Sequence, residues 1–225
     1  MKRLAILTVS MYLMVPSTNC SIETKFSKVA AALGFGSSRT VPDTLKPCQT
    51  WLNPHTLFHG SPTMNLEVIN PKPLGTRCHA QPIVFASQHI ALAALFMLKH
   101  QGKFACGRLP SGDVFYLTED TKRCIRDDHG GAIYVVSSAT FFCQTQISLG
   151  LDEWISYAAL RPLAKFTFPS ALEAILDFGV KVYCVDSCTY AQYWRLRSDN
   201  DEWTAFFGRL SPMTKAQLAL ERTSN

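Results

Sequence analysis

The sequence lacks several patterns that would identify a class of function at once. None of its eight cysteines are paired as C-x-x-C, which argues against a zinc ribbon or a thioredoxin-like redox site. It contains no G-x-S-x-G elbow of the kind that carries a serine nucleophile. Lys and Arg never form a run of five, so the net charge of +5 leaves no nucleic-acid footprint. Beyond the amino terminus, no stretch is apolar and long enough to be transmembrane.

What the composition does contain is typical of a globular protein. Hydrophobic residues make up 47% of the 225 residues and charged residues 17%, a balance too apolar for a disordered chain. This length is enough for one sizeable core, or for one domain with appendages. No internal repeat or low-complexity tract interrupts it. We therefore expect one main domain.

The amino terminus has the pattern of a targeting segment. Lys2 and Arg3 precede an apolar run of about a dozen residues, too short to span a bilayer comfortably. A polar break follows, so residues 1–19 are predicted to be a signal peptide and the protein to be secreted. A buried N-terminal helix is the alternative. Cys20 suggests a lipoprotein acceptor, but residues 17–19 fit that pattern poorly, so we do not expect a lipid anchor.

Export would place the cysteines in an oxidising environment, where disulfides are expected. Cys184 lies close to Cys188 in the sequence, and Cys106 and Cys124 flank a loop-rich hairpin region. We predict at least two disulfides among the eight cysteines if the protein is exported, although the connectivity cannot be derived from sequence. Thiol titration of the denatured, unreduced protein checks this number.

Hydrophobic periodicity predicts an α+β fold of short, mostly antiparallel strands with a few helices. We expect a lead-in segment over 20–45, the domain over 46–200 and a C-terminal helical extension over 201–225. One predicted strand ends at His59, and a β segment lies near Glu153. The other predicted strands are 82–86, 114–117, 132–136, 141–147, 165–168 and 180–185.

The predicted helices differ in how clearly the sequence marks their ends. One helix is apolar nearly all round and should be buried, and another begins with a capping box and stops at glycine. The first helix covers 88–99 after the cap residue Ser87, and the second covers 171–178, between the Ser170–Glu173 capping box and Gly179. A third helix is predicted over 190–197. A last helix begins with Ser211 as its cap and Pro212 in its first position.

Three strand-associated motifs combine residues that can carry chemistry. Phe58-His59-Gly60-Ser61 ends an apolar run in a histidine, followed by a glycine that lets a ligand or a backbone approach. Residues 83–87, Ile-Val-Phe-Ala-Ser, run into the buried helix. Glu153 opens a β segment. The alternative interpretations are a strand-end histidine above a turn and a solvated acid in an Asp-Glu pair.

In these three motifs the chain resembles the ADP-ribosyltransferase superfamily, in the branch typified by poly(ADP-ribose) polymerases and diphtheria toxin. That branch uses a His-Tyr-Glu triad, with a histidine in an HGS or HGT strand end, a strand similar to IYFA that runs into a helix, and a glutamate that opens a third strand. The resemblance covers residues 57–61, 82–98 and 153–168. It implies a split sheet of short strands and NAD bound, as substrate, in a cleft between two small sheets.

The resemblance also implies roles for single residues. His59 would hold a ribose hydroxyl on the adenosine side, the backbone of Gly60 would bind the nicotinamide carboxamide, and Glu153 would hold the nicotinamide-ribose 2′-hydroxyl. His59 and Glu153 would be the catalytic pair. The same motifs imply further NAD contacts for Gly60, Ser61, Val84, Phe85 and Ser87. No metal site is expected.

Glu153 also suits this reaction chemically. Cleavage of the nicotinamide–ribose bond creates an oxocarbenium-like centre, which a fixed carboxylate stabilises. We expect transfer of one ADP-ribose from NAD to a macromolecule, most simply a protein, as a toxin-like effector would do. NAD hydrolysis and a catalytically inactive binding module are the alternatives.

The sequence departs from the family pattern at one position, because Val84 stands where the family has its tyrosine. The loss of that ring removes a stacking interaction worth about 0.5–1.5 kcal/mol. Tyr116 and Tyr157 are candidates to replace the ring. His129 beside Asp127 and Asp128 is a weaker candidate, for a metal site, and a glycine-rich turn explains that triplet more simply.

Overall fold

The structure is a computed structural model, and it describes residues 55–73, 81–99, 103–143, 153–196 and 200–223. The predicted signal peptide, the lead-in segment over 20–45 and the cysteines at 20, 48 and 78 lie outside the described residues. The α+β class is confirmed: the described part of the chain forms an antiparallel sheet of six strands, a mixed sheet of three strands, and helices.

The larger sheet has the spatial order β6-β7-β2-β1-β5-β8, and every neighbouring pair in it is antiparallel. Alternating residues on each strand point to opposite faces, which gives the sheet two apolar sides. Its strands are β1 (Thr56–Ser61), β2 (Val84–Ser87), β5 (Gly131–Ser137), β6 (Phe142–Cys143), β7 (Glu153–Ser156) and β8 (Ala164–Phe168).

The smaller sheet has the order β3-β4-β9, where β3 and β4 are antiparallel and β4 and β9 are parallel. One of its sides faces the larger sheet, and its other side carries an aromatic core that includes Phe115, Tyr193 and Phe207. Its strands are β3 (Phe104–Arg108), β4 (Val114–Thr118) and β9 (Lys181–Cys184).

Six helices complete the described part of the chain. Four of them contribute buried residues to the main core, and the other two cover the aromatic core of the smaller sheet. The helices are α1 (Ile90–Leu95), α2 (Thr121–Arg126), α3 (Ala171–Asp177), α4 (Ser187–Leu196), α5 (Asn200–Gly208) and α6 (Lys215–Thr223). None of the helices in the described ranges is both long and apolar enough to cross a bilayer.

The two faces of the larger sheet differ in what they contact. We call the side that carries Phe58, Phe85 and Glu153 the front face; it packs on α1, α3 and the smaller sheet. The back face carries Leu57 and Tyr134 over a separate, smaller apolar cluster. Because directly paired residues of antiparallel strands share a face, the register assigns every other strand residue to one side.

Several predicted helix signals are confirmed and others are wrong. Ser170 caps α3, since its Oγ accepts from the Glu173 N–H at 3.0 Å, and Gly179 ends that region with φ of +82°. The last helix does not begin after Ser211. It begins at Lys215, because Thr214 and Gln217 form a reciprocal pair of hydrogen bonds at that end.

The buried helix is shorter than predicted. It covers Ile90–Leu95 instead of 88–99, and no side chain caps its first residue. The Ser87 Oγ accepts from the His89 N–H at 3.0 Å, but Ser87 lies two residues before the N-cap position His89 and so does not cap the helix. All six residues of α1 are buried, as its apolar composition predicts.

The seating of α1 depends on Gly60. A Cβ built on this glycine would lie 1.8 Å from the Ala93 carbonyl oxygen and 2.8 Å from its carbon. Real Cβ atoms never approach a backbone atom so closely, so only glycine allows the helix to lie directly on β1. Gly60 therefore has a packing function whatever else it does.

The five described cysteines are all free in this structure, so none of the disulfides predicted for an exported protein is formed among them. Cys184 packs against the main core, whereas Cys188 is exposed on α4, which covers the opposite side of the smaller sheet. Pairing that involves Cys20, Cys48 or Cys78 stays a prediction.

Candidate functional site

A small pocket on the front face collects residues from all three predicted motifs. Its volume is about 50 Å³, room for one or two water molecules. Both sheets and α1 contribute to its wall. The lining residues include Gly60 from β1, Phe85 and Ser87 from β2, Phe96 after α1, Cys106 from β3, and Glu153 from β7.

Sheet register explains why these side chains meet. Phe58 lies opposite Ser87, and Ser87 lies opposite Glu153, so the three share the front face across neighbouring strands. Phe85 lies opposite Ile155 on the same face. Because β2 lies between β1 and β7, residues about ninety positions apart in the sequence meet in one pocket.

The Glu153 side chain is the charged group of this pocket. It is half-buried, and burial raises the pKa of its carboxyl group above the usual value, with no cause from a neighbouring charge. An otherwise apolar wall thus disfavours the ionised form. A cationic group that entered the pocket would gain from this carboxylate more than it would in water, because the surroundings screen it less.

Cys106 is a lining residue that no sequence motif indicates. Burial, and then the neighbouring Glu153 carboxylate, raise the pKa of its thiol to about 11. The thiol therefore stays neutral near pH 7 and is not an activated nucleophile. It contributes a small, polarisable surface from the smaller sheet.

Two aromatic rings form the mouth of the pocket. Phe85 and Phe96 are stacked, with ring centroids 6.1 Å apart and planes inclined by 11°. Phe96 is 38% exposed and is the most solvent-accessible of the lining residues. In the sequence Phe96 belongs to the apolar run after Ser87, a pattern that indicates only a core residue of the helix.

His59 lies on the other side of the sheet from Glu153. It is paired with Tyr134, and the two rings are 6.3 Å apart on the back face. The His59 Nδ1 lies 2.6 Å from the Phe85 carbonyl oxygen, which can only accept, so Nδ1 carries the proton. This bond joins β1 to β2 just beyond their paired residues Phe58 and Ser87.

Val84 and Ser61 do not line this pocket, and the NAD contacts that the resemblance assigns to them stay a prediction. Val84 is 2% exposed and packs in the back-face cluster beside Tyr134. The Ser61 hydroxyl accepts from the Thr63 N–H at 3.1 Å and thereby closes a turn. Strand alternation explains both positions, because Val84 precedes Phe85, and Ser61 follows Gly60, by a single residue.

Neither tyrosine that was considered for the missing ring enters this pocket. Tyr116 lies in the smaller sheet, 4% exposed, with its ring stacked on Phe104 at 6.0 Å. Tyr157 is exposed at the edge of the larger sheet, against Phe142. Phe96 takes the place at the pocket mouth that these residues were expected to fill.

The Asp127-Asp128-His129 triplet has a structural explanation. The buried Asp128 carboxylate accepts from Ser170 Oγ and the Ala171 N–H, both at 2.7 Å, and pairs with Arg222 of α6 at 2.8 Å. Among the described residues, no group of three or more His, Cys, Asp or Glu side chains has the arrangement of a metal site. Asp128 therefore fixes the start of α3 and attaches α6 to the domain.

The back-face position of Val84 leads to a stability prediction. Val84→Tyr should add a ring to a closed cluster and lower the free energy of unfolding by about 3 kcal/mol or more, which lowers Tm by about 6–12 °C in a chain of this size. Leu163→Tyr, at a position that is 53% exposed, is the matched control and should leave Tm unchanged. An unchanged Tm for Val84→Tyr, measured by differential scanning calorimetry, would contradict the back-face position.

His59 should make the stability depend on pH. Burial, as the largest cause, lowers its pKa from 6.5 in spite of the bond to Phe85, and Lys72 adds to the decrease. The unfolded chain then binds more protons than the folded one, so the stability contributed by neutral His59 is present above pH 6.5 and is lost as the pH falls through the folded-state pKa.

Urea unfolding at pH 7.5 and 5.5 checks this sign. His59→Ala should be less stable than wild type by about 1–3 kcal/mol at pH 7.5, because the Phe85 carbonyl loses its partner, and the difference should narrow at pH 5.5. His129→Ala, at an exposed histidine, is the control. A difference that widens at pH 5.5 would show that His59 is charged in the folded state.

Comparison with known proteins adds no assignment to this geometry. The chain matches no protein-family model, and searches of curated proteins and of solved structures gave no match.

Proposed function

We propose that the front-face pocket is the nicotinamide end of an NAD site, and that the protein is an ADP-ribosyltransferase-like enzyme that transfers ADP-ribose to a macromolecular acceptor. One observation carries the proposal. Glu153 of the larger sheet, Gly60 and Ser87 of its central strands and Cys106 of the smaller sheet line the same pocket. The resemblance likewise implies a cleft between two small sheets, which supports the proposal.

The chemistry requires a carboxylate that acts mainly in the transition state. As the nicotinamide–ribose bond lengthens, positive charge develops on the ribose, and Glu153 stabilises that charge in surroundings with little solvent. The pair of electrons in the broken bond leaves with nicotinamide, and the acceptor or water then attacks the sugar carbon. An acceptor gives ADP-ribosylation, and water gives NAD hydrolysis.

The pocket has to open before it can bind NAD, because ligand sites commonly enclose about 300–1,000 Å³. The Ala93 carbonyl closes it against Gly60, while the Phe96 ring closes it against Phe85. Phe96 is the exposed member of this ring pair, and rotation of its side chain enlarges the mouth without moving α1. A flat ring that stacks on Phe85 would then take its place.

A catalytically inactive NAD- or ligand-binding module is the second candidate, and a specific observation favours it. His59 and Val84, two of the three triad positions, face the back of the sheet while Glu153 faces the front. A site with the glutamate alone retains charge stabilisation but lacks the histidine contact that the resemblance implies. Binding without bond cleavage is the expected behaviour of such a module.

Release of nicotinamide from NAD, followed by chromatography, separates these candidates. The proposed enzyme releases nicotinamide at a rate above that of a heat-denatured sample, and the inactive module binds NAD without release. Radiolabelled NAD incubated with a cell extract then distinguishes transfer, which leaves the label on macromolecules, from hydrolysis, which leaves it in free ADP-ribose. Absence of both release and binding would contradict both candidates.

A further inference from the structure

A pair of exposed aromatic rings lies on the same face of the sheet as Glu153. Phe142 of β6 is 43% exposed and Tyr157, directly after β7, is 48% exposed, with ring centroids 5.5 Å apart. Rings of this size are usually covered, and two of them in contact at a surface form a platform for a flat apolar ligand. We call Phe142 and Tyr157 the ring pair.

Register places Phe142 on the front face, and the ring contact places Tyr157 beside it. Phe142 lies opposite Ile155, which lies opposite the pocket residue Phe85, so their side chains share one side of the sheet. Tyr157 follows Ile155 by two residues and Glu153 precedes it by two. At about 3.3 Å per residue, Glu153 and Tyr157 are about 13 Å apart along the strand direction.

We propose that the ring pair is the subsite for the adenine ring of NAD, an inference that rests on the proposed function. NAD carries two flat rings joined by two riboses and a pyrophosphate. When nicotinamide lies beside Glu153, the adenine needs a second flat surface farther along the same face. The ring pair supplies one, and nucleobases stack on aromatic side chains whatever their hydrogen-bonding edges.

The position of His59 strengthens this inference. The sequence resemblance gives the adenosine ribose to His59, but that side chain lies on the back face, against Tyr134. A dinucleotide with its nicotinamide ribose at Glu153 cannot reach through the sheet to that ring. Its adenosine half must therefore be held by front-face residues, and beyond Phe96 at the pocket the ring pair offers an exposed aromatic surface.

Calorimetric titrations with three ligands test the assignment: NAD, ADP-ribose, and nicotinamide mononucleotide, which lacks adenine. Phe142→Ala and Tyr157→Ala should each weaken NAD and ADP-ribose about tenfold and leave nicotinamide mononucleotide unchanged. Tyr157→Phe keeps the ring and should bind like wild type. Leu220→Ala, at an exposed position on α6, is the control, and Tm is measured for every variant.

The outcomes separate this inference from the proposed function. If wild type binds NAD and both alanine variants bind it equally well, the adenine subsite is wrong while the NAD site stands. Equal weakening of all three ligands also overturns it, since the ring pair would then support the fold of the pocket. If wild type binds neither NAD nor nicotinamide mononucleotide, the proposed function fails and the subsite with it.

Discussion

Glu153→Gln is expected to lower the rate of nicotinamide release from NAD by about a hundred- to a thousandfold, while NAD affinity changes little. The loss of one preorganised electrostatic contact to a transition state typically costs about 2.7–4 kcal/mol. Glutamine keeps the shape and one hydrogen-bonding oxygen, so ground-state contacts to the ribose survive. The effect should therefore be on kcat, and calorimetric titration should give similar Kd values for the two proteins.

The pH dependence of the same reaction gives an independent check on Glu153. The ionised carboxylate is the active form, and burial raises its pKa above the usual 4.5. Release should fall as the pH drops through that raised value, and Glu153→Gln should lack this acidic limb. Glu67→Gln, at a glutamate outside the pocket, should retain both the rate and the limb. An acidic limb that persists in Glu153→Gln would assign the titration to another group.

Gly60→Ala is expected to lower the stability of the protein strongly. The added Cβ would lie 1.8 Å from the Ala93 carbonyl oxygen, and both neighbours are backbone, so no side chain can rotate to relieve the contact. Separation of α1 from β1 should lower the free energy of unfolding by about 3 kcal/mol or more and Tm by about 6–12 °C.

Gly208→Ala is the matched control for this substitution. Nothing lies within 4 Å of a Cβ at that position, so its Tm should stay close to that of wild type. Thermal unfolding followed by circular dichroism compares the two variants. Equal Tm values for Gly60→Ala and Gly208→Ala would contradict the close packing of α1 on β1, and with it the closed form of the pocket.

Much of the fold could be predicted where a local signal was sufficient. Strands β4, β5 and β9 lie within one residue of the predicted ranges, since their apolar runs are bounded by clear turns. The capping box at Ser170 fixed the start of α3. Strand β3 is not among the predicted strands, because Gly107 suggests a turn, and its strand conformation comes from pairing with β4.

The composition of the candidate site could be predicted only in part. Glu153, Phe85, Ser87 and Gly60 are motif residues that the register brings to one pocket. The separation of His59 from Gly60 follows from strand alternation, a signal that the sequence already contained. Cys106 could not be found, because its contribution depends on how the smaller sheet packs against the larger one.

The central claim is that the Glu153 pocket binds NAD. Calorimetric titration of the wild-type protein with NAD at millimolar concentration tests it most directly. The account predicts saturable binding to one site per chain, with competition by nicotinamide mononucleotide. Absence of any saturable heat with either ligand would contradict it.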